Sequence, residues 1–186
     1  MTDLRSAEVP GPRPDDHVRG PDDSAVVLFY GDFACPKCAL AHQRLKQAPV
    51  RVAYRHFALR AKHPRALALA HAAEAAAAQG RFWELADALY ADQGRLEDPH
   101  LWARCEELGL DLDRFERDRG GEPVAERVTR DVHDALRAGA TGTPTVWIAG
   151  DAPDLLDTMV TFGIREARRI GPPTDGRARK GSTYEQ

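Results

Sequence analysis

The run Ala25-Val26-Val27-Leu28-Phe29-Tyr30 is apolar at every position, and only Gly31-Asp32-Phe33-Ala34 separates it from Cys35-Pro36-Lys37-Cys38. Continuous β-branched and aromatic residues behind the turn residues Asp22, Asp23 and Ser24 predict a strand buried on both faces. Such a strand belongs at the centre of a sheet. After the cysteines, Ala39, Leu40 and Leu45 fit a helix that stops near Pro49. Val50 to Phe57 then alternates and is rich in β formers, which predicts a second strand. Strand, helix, strand in this order is a βαβ unit with parallel strands and a right-handed crossover.

From His63 to about Gly139 helical signals dominate. Pro64 suits a first turn, Ala66 to Ala78 has high helix propensity, and Gly80 follows as a stop. Phe82, Leu85, Ala86 and Leu89 repeat at helical spacing, as do Leu101, Cys105 and Leu108, while Leu112 and Phe115 mark a short helix. Val124, Val128, Val132 and Leu136 form one stripe of another helix, with Glu126 and Arg130, and Arg127 and Asp131, spaced as i,i+4 ion pairs on its wet side. Strand character returns at Thr145 to Ala149, behind Thr141-Gly142-Thr143-Pro144, and Leu156 to Ala167 has the pattern of a closing helix. The fold class expected is α/β with a helical insertion over about 62–139.

Residues 1–20 and 171–186 are rich in proline, glycine and charge and carry little apolar surface to offset the entropy of ordering them. Both are expected to be tails on a compact body at 21–170. No apolar run approaches the roughly 20 residues of a membrane span. The N-terminus lacks the apolar core of a secretory signal, so a cytoplasmic location with reduced thiols is expected. A net charge of −3 over 186 residues gives no basic surface for nucleic acid or an anionic membrane.

Chemistry therefore centres on the cysteine pair. At a helix N-terminus, unpaired amides and the helix dipole favour the Cys35 thiolate, Lys37 adds positive charge, and Pro36 has a φ suited to a first turn. Cys38, one turn on, is placed to attack a mixed disulfide at Cys35, the division of labour that thiol–disulfide exchange requires. Haem attachment is excluded because Ala39 stands where a histidine is needed. Zinc on Cys35, Cys38 and His42 lacks an evident fourth ligand, for which the fold would have to bring in Cys105 or His56. Two inert core thiols form the third reading. His56, His63 and His71 fit hydrogen-bonded structural roles, and Cys105 fits core packing. Trp83 and Tyr90 share a helical face that could serve a core or a peptide groove.

The runs Tyr30 to Cys38, Tyr54-Arg55-His56-Phe57, His63-Pro64-Arg65-Ala66, Gly80-Arg81-Phe82-Trp83 and Thr141-Gly142-Thr143-Pro144-Thr145 resemble, in the same order, signatures of the DsbA-like thioredoxin-fold proteins. The likeness is greatest to a bacterial branch that also occurs fused to sodium/proton antiporters. It implies a thioredoxin fold with a helical domain inserted between its βαβ and ββα halves. By the same resemblance Cys35 is the nucleophile, Cys38 the resolving cysteine and Pro144 the cis-proline. Pro36, Lys37, Thr143 and Pro144 would then border the substrate, with the Thr143 backbone available to an extended chain.

The implied activity is thiol–disulfide oxidoreduction on protein, peptide or small-molecule disulfides. It needs a redox partner to recycle the pair but no cofactor, metal, nucleic acid or membrane. Departures from the family pattern are also visible. Relatives commonly carry a buried acid at the position of Phe29, where it is thought to shuttle a proton for the second cysteine; Phe29 cannot, which leaves water or Asp32, itself also suited to a cap or turn. His56-Phe57-Ala58-Leu59 replaces the family's His-Phe-Pro-Leu, and a second hairpin strand is hard to find after Ile148. A binding or regulatory module with weakened catalysis is therefore the alternative expectation, and a zinc-stabilised domain a more distant one.

Overall fold

The computed structural model describes residues 11–149 and the strand at 167–169. Val26–Gly31 (β2) and Arg51–His56 (β3) pair in parallel around the helix Pro36–Gln47 (α1), and Thr145–Ile148 (β4) lies antiparallel on the other side of β2. His17–Arg19 (β1) adds antiparallel to β3, and Ala167–Arg169 (β5) adds parallel to β4, giving the order β1-β3-β2-β4-β5. Between β3 and β4 the chain forms α2 (Ala66–Ala77), α3 (Phe82–Ala91), α4 (Asp98–Glu107), α5 (Leu112–Arg119) and α6 (Glu122–Arg137). This is a thioredoxin-like α/β fold with an all-helical insertion.

Successive side chains of a strand point to opposite faces, and β2 buries both sets. Val27 and Phe29 join the larger core with α1 and most of the insertion, while Leu28 and Tyr30 pack with Ala53, Phe57, Ala135 and Trp147. Every residue from Val27 to Tyr30 is 0% exposed, as a central strand requires. At the end of β2, Gly31 sits under the hydroxyls of Tyr54 and Tyr90. A Cβ there would fall 2.7 Å from Tyr90 Oη and 2.8 Å from a Tyr54 ring carbon, so no larger residue fits beneath the cysteine loop. Tyr90 is buried among Phe29, Phe33 and His42, and Trp83, partly buried against the same core, donates to the Val18 carbonyl at 3.2 Å.

Four expectations are corrected. Residues 11–20 are no tail, since β1 is a sheet strand and its neighbours are tied down by charge. Arg55, fully buried, holds Asp16 through two 2.8 Å bonds, donates to Tyr30 Oη at 2.8 Å and reaches the Gly11 carbonyl. Arg127 and Asp131 also look elsewhere than to each other. Arg127 binds Glu74 and Asp15, and buried Asp131 accepts from Arg13 and from the His56 amide, because the N-terminal segment lies across α6. Leu136 is 52% exposed, and Asp131 and Ala135 take the buried positions beside Val128. Finally, Ala167 begins a strand, not the end of a helix. Its pairing with β4 is parallel, which a tight hairpin cannot give. Residues 1–10, the rest of the expected closing helix and 171–186 lie outside the described residues.

Glu74 on α2 gathers three of these elements. His17 and His56 approach the same carboxylate oxygen at 2.8 and 2.7 Å, and Arg127 donates to it at 2.9 Å. Burial opposes ionisation of Glu74, but the two histidine contacts outweigh it and hold its carboxyl well below the usual range.

Candidate active site

Asp32 to Ala34 turn the chain from β2 into α1. The Asp32 carboxylate accepts from the Ala34 amide at 2.8 Å, and the Asp32 carbonyl accepts from the Cys35 amide at 3.1 Å. Asp32 thus holds the turn, and Cys35 itself is the residue at the helix cap, followed by Pro36 in the first turn. Proline costs nothing there, because its missing N–H would have had no intrahelical partner.

A cap residue's side chain faces the amides of the second and third helical positions. In α1 these belong to Lys37 and Cys38, and the Cys35 side chain lies on their side of the helix end without forming a cap hydrogen bond of normal geometry. A hydrogen bond from the Cys38 thiol is the largest influence on Cys35. Together with the Thr143 side chain and the amides of Cys38 and Lys37, it overcomes the cost of burial and lowers the Cys35 pKa from 9.0 to about 5. Cys38 moves the other way. Burial first, and then the neighbouring Cys35, push its thiol far up, although its sulfur accepts from the Asp32 amide at 3.4 Å. The site therefore holds one thiol poised as a thiolate and one held as a thiol, and both cysteines are unbonded.

The second half arrives from α6. Gly139 takes φ 83°, its amide donates to the Leu136 carbonyl, and the Ala140 amide donates to the Ala135 carbonyl. This pair of bonds is a Schellman ending, which favours glycine because φ is positive. The chain leaves it into Thr141–Thr145, where the Thr143–Pro144 peptide is cis and the Thr143 carbonyl lies 3.7 Å from Cys35 Sγ. Six residues singled out in the sequence thus converge: Cys35 and Cys38 buried, Pro36 and Lys37 exposed beside them, Thr143 and Pro144 opposite.

A cleft of about 420 Å³ opens between these halves, bordered by Lys37, Lys62, Thr141, Gly142, Thr143 and Pro144. Lys62 reaches over Gly142, with its Nζ 3.4 Å from where a Cβ would be. Sequence reasoning missed Lys62, which carries no motif and is brought in only by the loop before α2. It also missed the link between Asp32 and His63, whose Nδ1 lies 2.7 Å from the Asp32 carboxylate. Among the described residues no group of three histidine, cysteine or acidic side chains is placed to hold a metal, and His42 pairs with Asp87 at 2.6 Å. Cys105 is fully buried, and burial pushes its thiol up to about 12.

The model of the DSBA-like thioredoxin domain matches residues 60–164, more than half of the chain. The chain belongs to this family. That match covers the helical insertion and the Thr143–Pro144 loop, while the cysteine motif lies before it. Among curated proteins, this DSBA-like domain is 42% identical over 141 residues to a Na(+)/H(+) antiporter NhaA of Salinispora arenicola, covering 73% of this chain and 22% of that protein. It is 37% identical over 167 residues to the antiporter NhaA of Herminiimonas arsenicoxydans, covering 86% and 26%. The chain thus spans about a quarter of the length of these relatives. Among solved structures, a thioredoxin-like oxidoreductase from Silicibacter pomeroyi superposes with a TM-score of 0.69 at 24% identity, covering 80% of this chain and 92% of that one. The thiol-disulfide exchange protein alpha-DsbA2 of Wolbachia pipientis gives 0.65 at 18%, covering 74% and 77%. No helix among the described residues is long and apolar enough to cross a membrane.

Proposed function

We propose that this DSBA-like domain is a thiol–disulfide oxidoreductase that works through a mixed disulfide at Cys35, which Cys38 resolves. The observation that carries the reading is the arrangement of the motif: Cys35 stands at the cap of α1 with its sulfur 3.7 Å from the Thr143 carbonyl, and Cys38 is buried one turn on, which favours Cys35 as thiolate and Cys38 as thiol. In the reductive direction the Cys35 thiolate attacks a substrate disulfide, one substrate sulfur leaves as thiolate, and Cys38 then displaces the other. The substrate gains two electrons and the protein keeps a Cys35–Cys38 disulfide, which a separate dithiol partner must reduce. An extended substrate would lie along Thr143. In a reducing compartment such as the cytoplasm, the resting dithiol favours reductase or isomerase work over oxidative folding.

Dithiothreitol-driven insulin reduction tests this. The wild type is expected to accelerate it and Cys35→Ser to return it to background, while Cys38→Ala accumulates a mixed disulfide visible by mass spectrometry. A wild-type rate at background would refute the reading. It would instead favour the second one, a binding or regulatory module, which is supported by antiporter relatives several times the length of this chain and by Phe29 in the core.

The cleft also sets a preference. Lys37 and Lys62 face it with no carboxylate partner among the described residues, so disulfides carrying carboxylates near the sulfur should react fastest. A charge a few ångströms away contributes about 1 kcal/mol in water, or roughly fivefold in rate. Reversing both lysines to glutamate should therefore lower the rate with anionic dithiobis-nitrobenzoate relative to cationic cystamine by at least tenfold, and salt should shrink the difference. An unchanged ratio would remove the lysines from substrate selection.

A further inference from the structure

Cys38 poses a problem of proton balance. To displace the substrate sulfur from Cys35 it must first lose its proton, and it is fully buried. Phe29, in the core beneath the cysteines, offers no acceptor. One carboxylate lies in the loop that touches Cys38: Asp32, whose amide donates to Cys38 Sγ at 3.4 Å and whose side chain is 0% exposed. Asp32 is bonded to His63 Nδ1 at 2.7 Å, and the His63 side chain is 24% exposed. The residue whose amide bonds the sulfur thus carries a buried carboxylate that is joined, through one ring, to the surface.

We propose that Asp32 and His63 act as the proton-transfer pair for Cys38, accepting its proton during resolution and passing it to solvent. This rests on the exchange reading above. As Cys38 Sγ attacks Cys35 Sγ, its proton goes to the Asp32–His63 pair, the Cys35–substrate bond breaks, and the departing thiolate takes a proton from solvent. The two electrons that reduce the substrate come from the Cys35 and Cys38 sulfurs, which are oxidised as the Cys35–Cys38 bond forms. In the reverse direction the pair returns the proton to Cys38.

Other titratable groups facing Asp32 do not offer this route. Tyr54 on β3 and Tyr90 on α3 bond each other at 3.1 Å, and burial keeps both hydroxyls neutral. His56 is committed to Glu74 on the far side of Phe33. Cys35 on α1 is a reactant. Burial is also the leading influence on Asp32 itself and raises its pKa, which makes it a better base than a surface carboxylate.

Dithiobis-nitrobenzoate separates the steps, because attack by Cys35 releases one coloured thiolate and resolution by Cys38 releases the second. In single-turnover stopped flow, Asp32→Asn and His63→Gln should leave the first release within a few-fold of wild type. Both should slow the second by roughly a hundredfold, the usual scale for losing a general base. Asp32→Asn should also flatten the acid limb of the second phase. Wild-type second-phase rates and pH dependence in both variants would overturn the proposal. His63→Gln, at a partly exposed position, decides alone should Asp32→Asn not fold. Absence of the first release in the wild type would refute the exchange reading instead.

Discussion

Asp16→Ala is expected to destabilise the protein by about 3–5 kcal/mol, the scale for leaving one partner of a buried ion pair uncompensated. Arg55 is fully buried in β3, and Asp16 binds its guanidinium through both carboxylate oxygens at 2.8 Å. The bond to Tyr30 Oη and the bond to the Gly11 carbonyl cannot neutralise a full charge. Domains of this kind have only about 5–15 kcal/mol in hand, so the loss should be visible as a large drop in the urea midpoint. Replacing the pair together, Arg55→Met with Asp16→Leu, should cost much less than Asp16→Ala alone, since a hydrophobic pair of similar volume is often neutral. Equal losses in the single and double variants would show that the charge on Arg55 is compensated by other means.

That pair also explains why the N-terminal segment is misleading in the sequence. The expectation of a tail at 1–20 rests on scarce apolar surface, a sound criterion only where burial of apolar area is what holds a segment. Residues 13–19 are instead held by charge: Arg13 by Asp131 and Asp134, Asp15 by Arg127 and Arg130, Asp16 by Arg55, His17 by Glu74, and Arg19 by Asp87. Every partner is distant in the chain, so none has a periodic signature. The same fact undoes the i,i+4 pairs read on α6, whose Arg127 and Asp131 have the right spacing but are claimed by this segment. Central elements fared differently because their signal is local. The run ending at Tyr30, the cysteine motif and the alanine-rich helix each declare burial or propensity within a few residues.

Within the site, legibility follows the same division. Cys35, Pro36 and Cys38 are adjacent, and their roles follow from a helix start. Thr143 and Pro144 are readable only through the family resemblance, since nothing local says that the loop after α6 closes over Cys35. Asp32 was visible as an acid beside the motif, but His63 was not visible as its partner. The contact depends on where the loop following β3 passes, and tertiary packing alone sets that.

Alkylation of Cys35 is expected to titrate near pH 5, against 9.0 for an ordinary thiol. Its rate near neutrality is uninformative. A thiolate of pKa about 5 is almost wholly ionised there, but its intrinsic reactivity is lower by roughly fiftyfold, given a Brønsted slope of about 0.4–0.5. At pH 5 the two factors no longer cancel, and Cys35 should react with iodoacetamide roughly a hundredfold faster than an ordinary thiol. Cys38→Ala removes the largest stabilising contact of the thiolate and should move the midpoint upward. The linkage to stability has a definite sign. Cys35 has a depressed folded pKa, so the stability its ionisation contributes grows as pH rises from about 5 toward 9 and is lost as pH falls through 5. Only the dithiol form has it, because the disulfide carries no ionisable sulfur. Reduced protein should therefore gain in thermal stability relative to oxidised protein between pH 5 and 8, and Cys35→Ser should not. Cys38 enters with the opposite sign only near pH 9, where it would ionise in the unfolded chain and is prevented from doing so in the fold. A dithiol stabilised in this way has a higher reduction potential than an ordinary dithiol, by a margin that grows as pH rises from about 5. A midpoint near 8 to 9, with parallel stability curves for the two redox forms, would show that the cap position and the Cys38 contact do not stabilise the thiolate.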